Sequence, residues 1–210
     1  MEIKKVKAVT FKPFVSYKDV REAFGLEESK SDFVNSRLTS KMIIEVDTNE
    51  GTKYINKNVY LYKDSLIVPV RVDDGYKLST VGKIEDGTLN FNIFVGKNLV
   101  LEGKNIKIKH AKEPRYLNIN ANDKNQLDYF NSKISSEVDE NFSHSFKIVS
   151  YAFTNEATFE LKSADSISKV KQGAKKGKFV KKASPAKEAV KEEEVNLEQE
   201  EISLDDLENM

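Results

Sequence analysis

Cysteine is absent from this chain of 210 residues. That excludes a disulfide framework, a thiolate nucleophile and a Cys-ligated zinc site. Histidine occurs only at His110 and His144, in separate predicted elements, so an imidazole-based metal centre has little to build on. No apolar run approaches the roughly 18 residues that a membrane-spanning helix needs. The N-terminal stretch carries lysines but no apolar core of signal-peptide length, which makes the cytoplasm the expected location. Walker-type glycine loops, G-x-G-x-x-G, G-x-S-x-G and HExxH are all missing. Acid pairs such as Asp73-Asp74 and Asp205-Asp206 fall in a turn and in a tail, where they read as solvated charge. The expectation is a protein that is not an enzyme and uses neither cofactor nor metal.

What the chain does have is segregated charge. Its formal net charge is zero. Yet residues 169–191 hold nine lysines against one acid, Glu188, and residues 192–210 hold nine acids and no base. Blocks of this kind serve as interaction tails rather than folding elements. They also lack the apolar periodicity that would repay their ordering entropy. The expected organisation is a β-rich globular domain over 1–168, a lysine-rich disordered linker over 169–191 and an acidic tail over 192–210.

Within the domain, short β patterns dominate. Residues 6–15 form a strand pattern interrupted late by Pro13; Ser16 is placed to cap a short helix over 17–24, with Gly25 at its end. Strands are predicted over 42–46, 52–62, 66–72, 76–84, 88–95, 98–101, 106–110, 116–119, 146–153 and 158–161. Asp73-Asp74-Gly75 and Glu85-Asp86-Gly87 mark hairpin turns, and Pro69 suits an edge or a bulge. Phe33, Val34 and Leu38 are spaced for one helical face, and Leu127, Phe130, Ile134 and Val138 make the stripe of a helix packed on a sheet. The fold class is mainly β with one or two helices. An OB-like Greek-key barrel of roughly five strands leads, with a small β-sandwich as the alternative.

Alternation puts Ile55, Val59 and Leu61 on one face of the 52–62 strand and Tyr54, Tyr60 and Tyr62 on the other. In the 88–95 strand Leu89, Phe91 and Ile93 face inward and Phe94 outward. The outward rings, with Lys57, Arg71, Lys107 and Lys109 on the same or neighbouring strands, offer platforms for unstacked bases beside cations for phosphates. Lys175, Lys176, Lys178, Lys181 and Lys182 add sequence-independent phosphate contacts. The plainer reading is that Tyr and Phe are simply good strand formers.

The end of the chain, Glu200-Glu-Ile-Ser-Leu-Asp-Asp-Leu-Glu-Asn-Met210, resembles the acidic C-terminal tail of replication-type single-stranded DNA-binding proteins, above all those of bacteriophages. The match covers residues 192–210 and is most specific over 204–207; many bacterial members end in an aromatic residue, whereas this chain ends in Met210. The resemblance implies an OB-type barrel that holds single-stranded DNA in replication or recombination. It also implies a tail that competes with DNA and recruits proteins such as polymerase or helicase through Ile202, Leu204, Asp205, Asp206 and Leu207. The location would then be the bacterial host cytoplasm, with no membrane partner and with homo-oligomerisation compatible. Two other classes fit the same composition: a virion or other structural β-protein with a charged assembly tail, and a transcription or clamp-interacting accessory factor.

Overall fold

The computed structural model describes residues 2–72, 75–96, 98–130, 134, 136 and 138–165. The linker and tail, with Lys175, Lys176, Lys178, Lys181, Lys182, Ile202, Leu204, Asp205, Asp206 and Leu207, lie outside the described residues.

Strand β1 (Ile3–Phe11) gives way at Pro13 to β2 (Phe14–Ser16), so the stretch expected as one strand is two. Ser16 caps α1 (Tyr17–Ala23), its hydroxyl accepting from the Asp19 amide at 3.3 Å. The helix ends at Gly25, whose φ of +70° an L side chain seldom adopts. A five-residue α2 (Asp32–Ser36) follows, and Leu38 already belongs to the next strand. Then comes a run of hairpins: β3 (Leu38–Thr48), β4 (Gly51–Tyr62), β5 (Ser65–Val72), β6 (Gly75–Glu85), β7 (Thr88–Phe94) and β8 (Leu99–His110). The two strands expected at 98–101 and 106–110 are this single β8, bulged where Asn105 takes φ +60°. The chain finishes with β9 (Tyr116–Asn120), a one-turn α3 (Lys124–Leu127), β10 (Ser143–Phe153) and β11 (Thr158–Ser163).

Eight of these strands close on themselves in the order β2-β3-β4-β5-β6-β7-β8-β10, all antiparallel, with β10 pairing both β8 and β2. The result is a closed antiparallel β-barrel. It has more strands than an OB barrel, which is built from roughly five. Closure leaves no free edge around the ring where pairing is complete. β1 continues along β3 above β2, and β11 continues along β8 above β10.

The lumen is filled by Phe11, Phe14, Met42, Ile44, Leu66, Leu89, Phe91, Leu101 and Ile106 among others. Phe91 on β7 sits between Gly82 of β6 and Gly103 of β8, its register partners on either side. A Cβ at Gly103 would lie 2.6 Å from the Phe91 ring, and one at Gly82 would lie 2.7 Å from the Phe91 Cβ. A second cluster packs outside the wall at the α1 end: Val15, Tyr17, Val20, Val34, Ile119, Leu127, Phe130, Ile134, Phe146 and Ile148. The expected stripe of Leu127, Phe130 and Ile134 is therefore buried as anticipated, with Val138 packed at its margin. The described helical turn at α3 spans only its start.

β10 serves both clusters because it bulges between Ile148, opposite Val15, and Ser150, opposite Phe14. Phe146 and Ile148 thus face the outer cluster, while Ala152 packs against the lumen.

Gly103→Ala should destabilise the protein by about 1–3 kcal/mol through overpacking against Phe91. Gly96→Ala, where an added Cβ meets nothing within 4 Å, should change stability by less than about 0.5 kcal/mol. Urea denaturation of the two variants checks the contrast.

Candidate nucleic-acid interface

The three tyrosines expected to share an outward face on β4 are separated by what lies over them. Tyr60 does point out of the lumen, but the outer cluster covers it and it is only 7% exposed. Phe33 of α2 meets its ring edge-on at 6.1 Å, and the Arg37 guanidinium lies 4.3 Å from its centroid. Arg37 is itself buried, 4.0 Å from the Tyr17 centroid, so rings hold its charge in place of a carboxylate. Burial lowers the pKa of this guanidinium and raises that of the Tyr60 phenol. Tyr60 is consequently a structural ring and not a free stacking platform. Tyr62 is half-buried: its hydroxyl donates to Asp32 Oδ2 at 2.7 Å, and Phe33 packs on it at 5.3 Å. Tyr54 is fully accessible, at 64% exposure.

Lys107 and Lys109 lie elsewhere on the ring, on the outer face of β8, and the structure gives them partners that alternation alone did not reveal. In the β8–β10 ladder Lys107 stands opposite Phe153 and Lys109 opposite Tyr151. The Lys109 ammonium is 5.2 Å from the Phe153 centroid, and the Arg115 guanidinium is 5.9 Å from that of Tyr151. The two rings are 6.3 Å apart at 48°. Cations and aromatic rings therefore interleave on one patch of wall, with Phe153 43% exposed. Glu156, in the turn after β10, pairs with Lys107, whose hydrogen bond holds the carboxyl below the usual carboxylate range. The period-two spacing of Tyr151 and Phe153 was visible in the sequence. Their pairing with the two lysines depends on register, which was not.

Phe94 is 55% exposed on the outer face of β7, next in the ring to β8. Arg71 lies on a projecting hairpin, cross-strand from Tyr76 on β6, another ring missed from the sequence. Lys57 is half-buried and shares the face of Met42, its β3 partner, which points toward the lumen rather than outward with Tyr54. The structure therefore groups Lys107 and Lys109, places Phe94 opposite Val100 at the other end of the β7–β8 ladder from Lys107, and leaves Tyr54, Lys57 and Arg71 on the β4 and β5 side.

His110 and His144 do not meet. His110 Nδ1 is 3.0 Å from the Ser150 hydroxyl, whereas the His144 ring packs 4.5 Å from Phe146 beside an open hollow with Asp19 and Glu22. Among the described residues no group of three or more His, Asp or Glu side chains is placed to hold a metal ion. Nor is any helix among them long and apolar enough to cross a membrane.

The class is a closed eight-stranded antiparallel barrel that carries a cationic, aromatic patch on its outer wall. No protein-family model, no curated protein and no solved structure matches the chain.

The Tyr62 hydrogen bond, with a smaller one from Ser36, lowers the Asp32 pKa. In Tyr62→Phe that pKa should move up toward the ordinary aspartate value. A lowered folded-state pKa gives stability that is present above the unfolded value and is lost as pH falls through the folded one. The variant should therefore lose less stability than the parent on acidification through that window. Carboxyl NMR titration and acid unfolding check both.

Proposed function

We propose that this protein binds single-stranded DNA without sequence selectivity, as a non-enzymatic component of replication or recombination in the cytoplasm. The observation that carries the reading is the β8–β10 patch, where Lys107, Lys109 and Arg115 alternate with Tyr151 and Phe153. Rings of this kind stack unpaired bases at about 1–3 kcal/mol each, whatever the base, and cations at their edges follow the phosphates. Phe94, exposed at the other end of the β7–β8 ladder, offers a further ring on the wall, apart from the patch. Lys175, Lys176, Lys178, Lys181 and Lys182 contribute salt-sensitive phosphate contacts beyond it.

The OB-like description belongs to this proposal as a likeness of role. A barrel wall presents the strand, although here the wall is a hairpin meander. The acidic tail acts as an internal polyanion at high effective concentration, competing with DNA for the protein's cations. When DNA displaces it, Ile202, Leu204, Asp205, Asp206 and Leu207 become available to replication proteins such as polymerase or helicase. A structural or assembly protein is the second reading, and the unpaired edges of the β5–β6 hairpin are what favour it.

Fluorescence anisotropy with labelled single-stranded and duplex oligonucleotides tests the reading. Single strands should bind more tightly. Phe153→Ala should weaken that binding by about 1–3 kcal/mol. Lys109→Ala should reduce the slope of log affinity against log salt by about 0.7, one phosphate contact on a single strand. Equal weak binding to both forms, unaltered by either substitution, would overturn the reading and leave the assembly protein in its place.

A further inference from the structure

The ladder between β4 and β5 is short: it pairs only residues 60–62 with 65–67. Pro69 lies just past it and has no N–H to give. Beyond that point β5 continues to Val72 paired only with β6, while β6 joins β7 only from Gly82 onward. The distal part of β5–β6 is therefore a two-stranded ribbon with both outer edges unpaired. Such a ribbon is marginal alone in water. It exposes Val70 and Val72 on one face and Arg71 and Tyr76 on the other. Unpaired backbone beside β-branched side chains is a template for another strand.

We propose that the occupant is the chain's own acidic terminus, which adds as a strand along the free edge of β5 over residues 68–72. Three observations select it. First, the described chain leaves the barrel at the end from which the ribbon projects: Ser163 pairs with Leu99, and the Ala164 amide donates to Asn98 in the β7–β8 turn. Antiparallel alternation puts that turn and the β5–β6 turn at the same end of the barrel. Second, the distance is short for the chain available. Thirty-four residues separate Asp165 from Glu200, and a coil of that length has a span of about 30–35 Å, comparable with the roughly 40 Å length of a twelve-residue strand such as β8.

Third, pattern and charge match. Ile202 and Leu204 alternate with Glu201, Ser203 and Asp205, as Val70 and Val72 alternate with Arg71. In register, the apolar pairs share one face and the acids meet the face of Arg71. Among the described residues Arg71 carries no ion pair and supplies positive charge on that face, whereas Lys77, opposite Val70, lies on the apolar face. Asp73 and Asp74, which follow Val72 in the sequence, add negative charge that opposes the docking. Seated there, Ile202 and Leu204 are withheld from partner proteins, a consequence that rests on the reading above. The docking itself does not require DNA.

Hydrogen exchange at low salt, without nucleic acid, tests the docking. Amides of residues 70–72 should exchange about tenfold more slowly in the full chain than in a chain ending at Lys191. The full-length double variant Ile202→Ser, Leu204→Ser should lose that protection, and Asp73→Asn, Asp74→Asn should increase it. Identical exchange in all four proteins would overturn the proposal. So would protection that grows with protein concentration, which would make a second copy the occupant, or protection found on β8–β10 instead. Because no DNA is present, failure here leaves the DNA-binding reading standing, and failure of oligonucleotide binding leaves this one standing.

Discussion

The barrel depends on one large side chain that needs two absences. Closing eight strands leaves an interior just wide enough for side chains to fill, and Phe91 fills its centre only because β6 and β8 present Gly82 and Gly103 beside it. From there the ring reaches Phe11 of β1 at 6.1 Å and Phe159 of β11 at 6.4 Å. Both of those strands lie outside the closed ring, so one aromatic contact set ties the wall to its two extensions. A slip of one residue in β7 would turn Phe91 outward and bring Asn90 or Asn92 into its place. The register of β6, β7 and β8 is fixed by that cost.

The outer cluster decides which wall stays bare. It covers β3 and β4 near α2, where Arg37 is wrapped by Tyr17, Phe33 and Tyr60. Burying a cation among ring faces is tolerable where the quadrupoles replace part of its lost hydration. The same layer stops short of Phe153 and the two lysines opposite the end of β10. Exposure of the patch on β8–β10 is thus set by where the second core ends.

Much of the strand content was legible because side-chain alternation is a local property. Leu89, Phe91 and Ile93 are inward and Phe94 outward, as their spacing requires. The Ser16 cap and the Pro69 edge follow from chemistry confined to a few residues. Tyr60 misled because alternation reports which face a residue takes, not whether a second apolar layer covers that face. Pro13 divided β1 from β2 more sharply than the β pattern across it suggested. The interleaving of Lys107 and Lys109 with Phe153 and Tyr151 joins segments some forty positions apart. Only long-range register creates such a patch, and a single sequence carries no direct trace of it.

Closure of the ring has a consequence in time. β2 meets β10 through Val15 and Ile148, so the two ends of the folded region must find each other before the wall is complete. Topologies dominated by such distant pairings fold slowly. During synthesis on a ribosome the hairpins from β3 to β8 emerge first, with the open edges of β2 and β8 still waiting for β10 and β11. An incomplete barrel offers those edges to any neighbouring nascent chain. The late arrival of residues 143–163 is therefore the step that converts an association-prone meander into a sealed molecule.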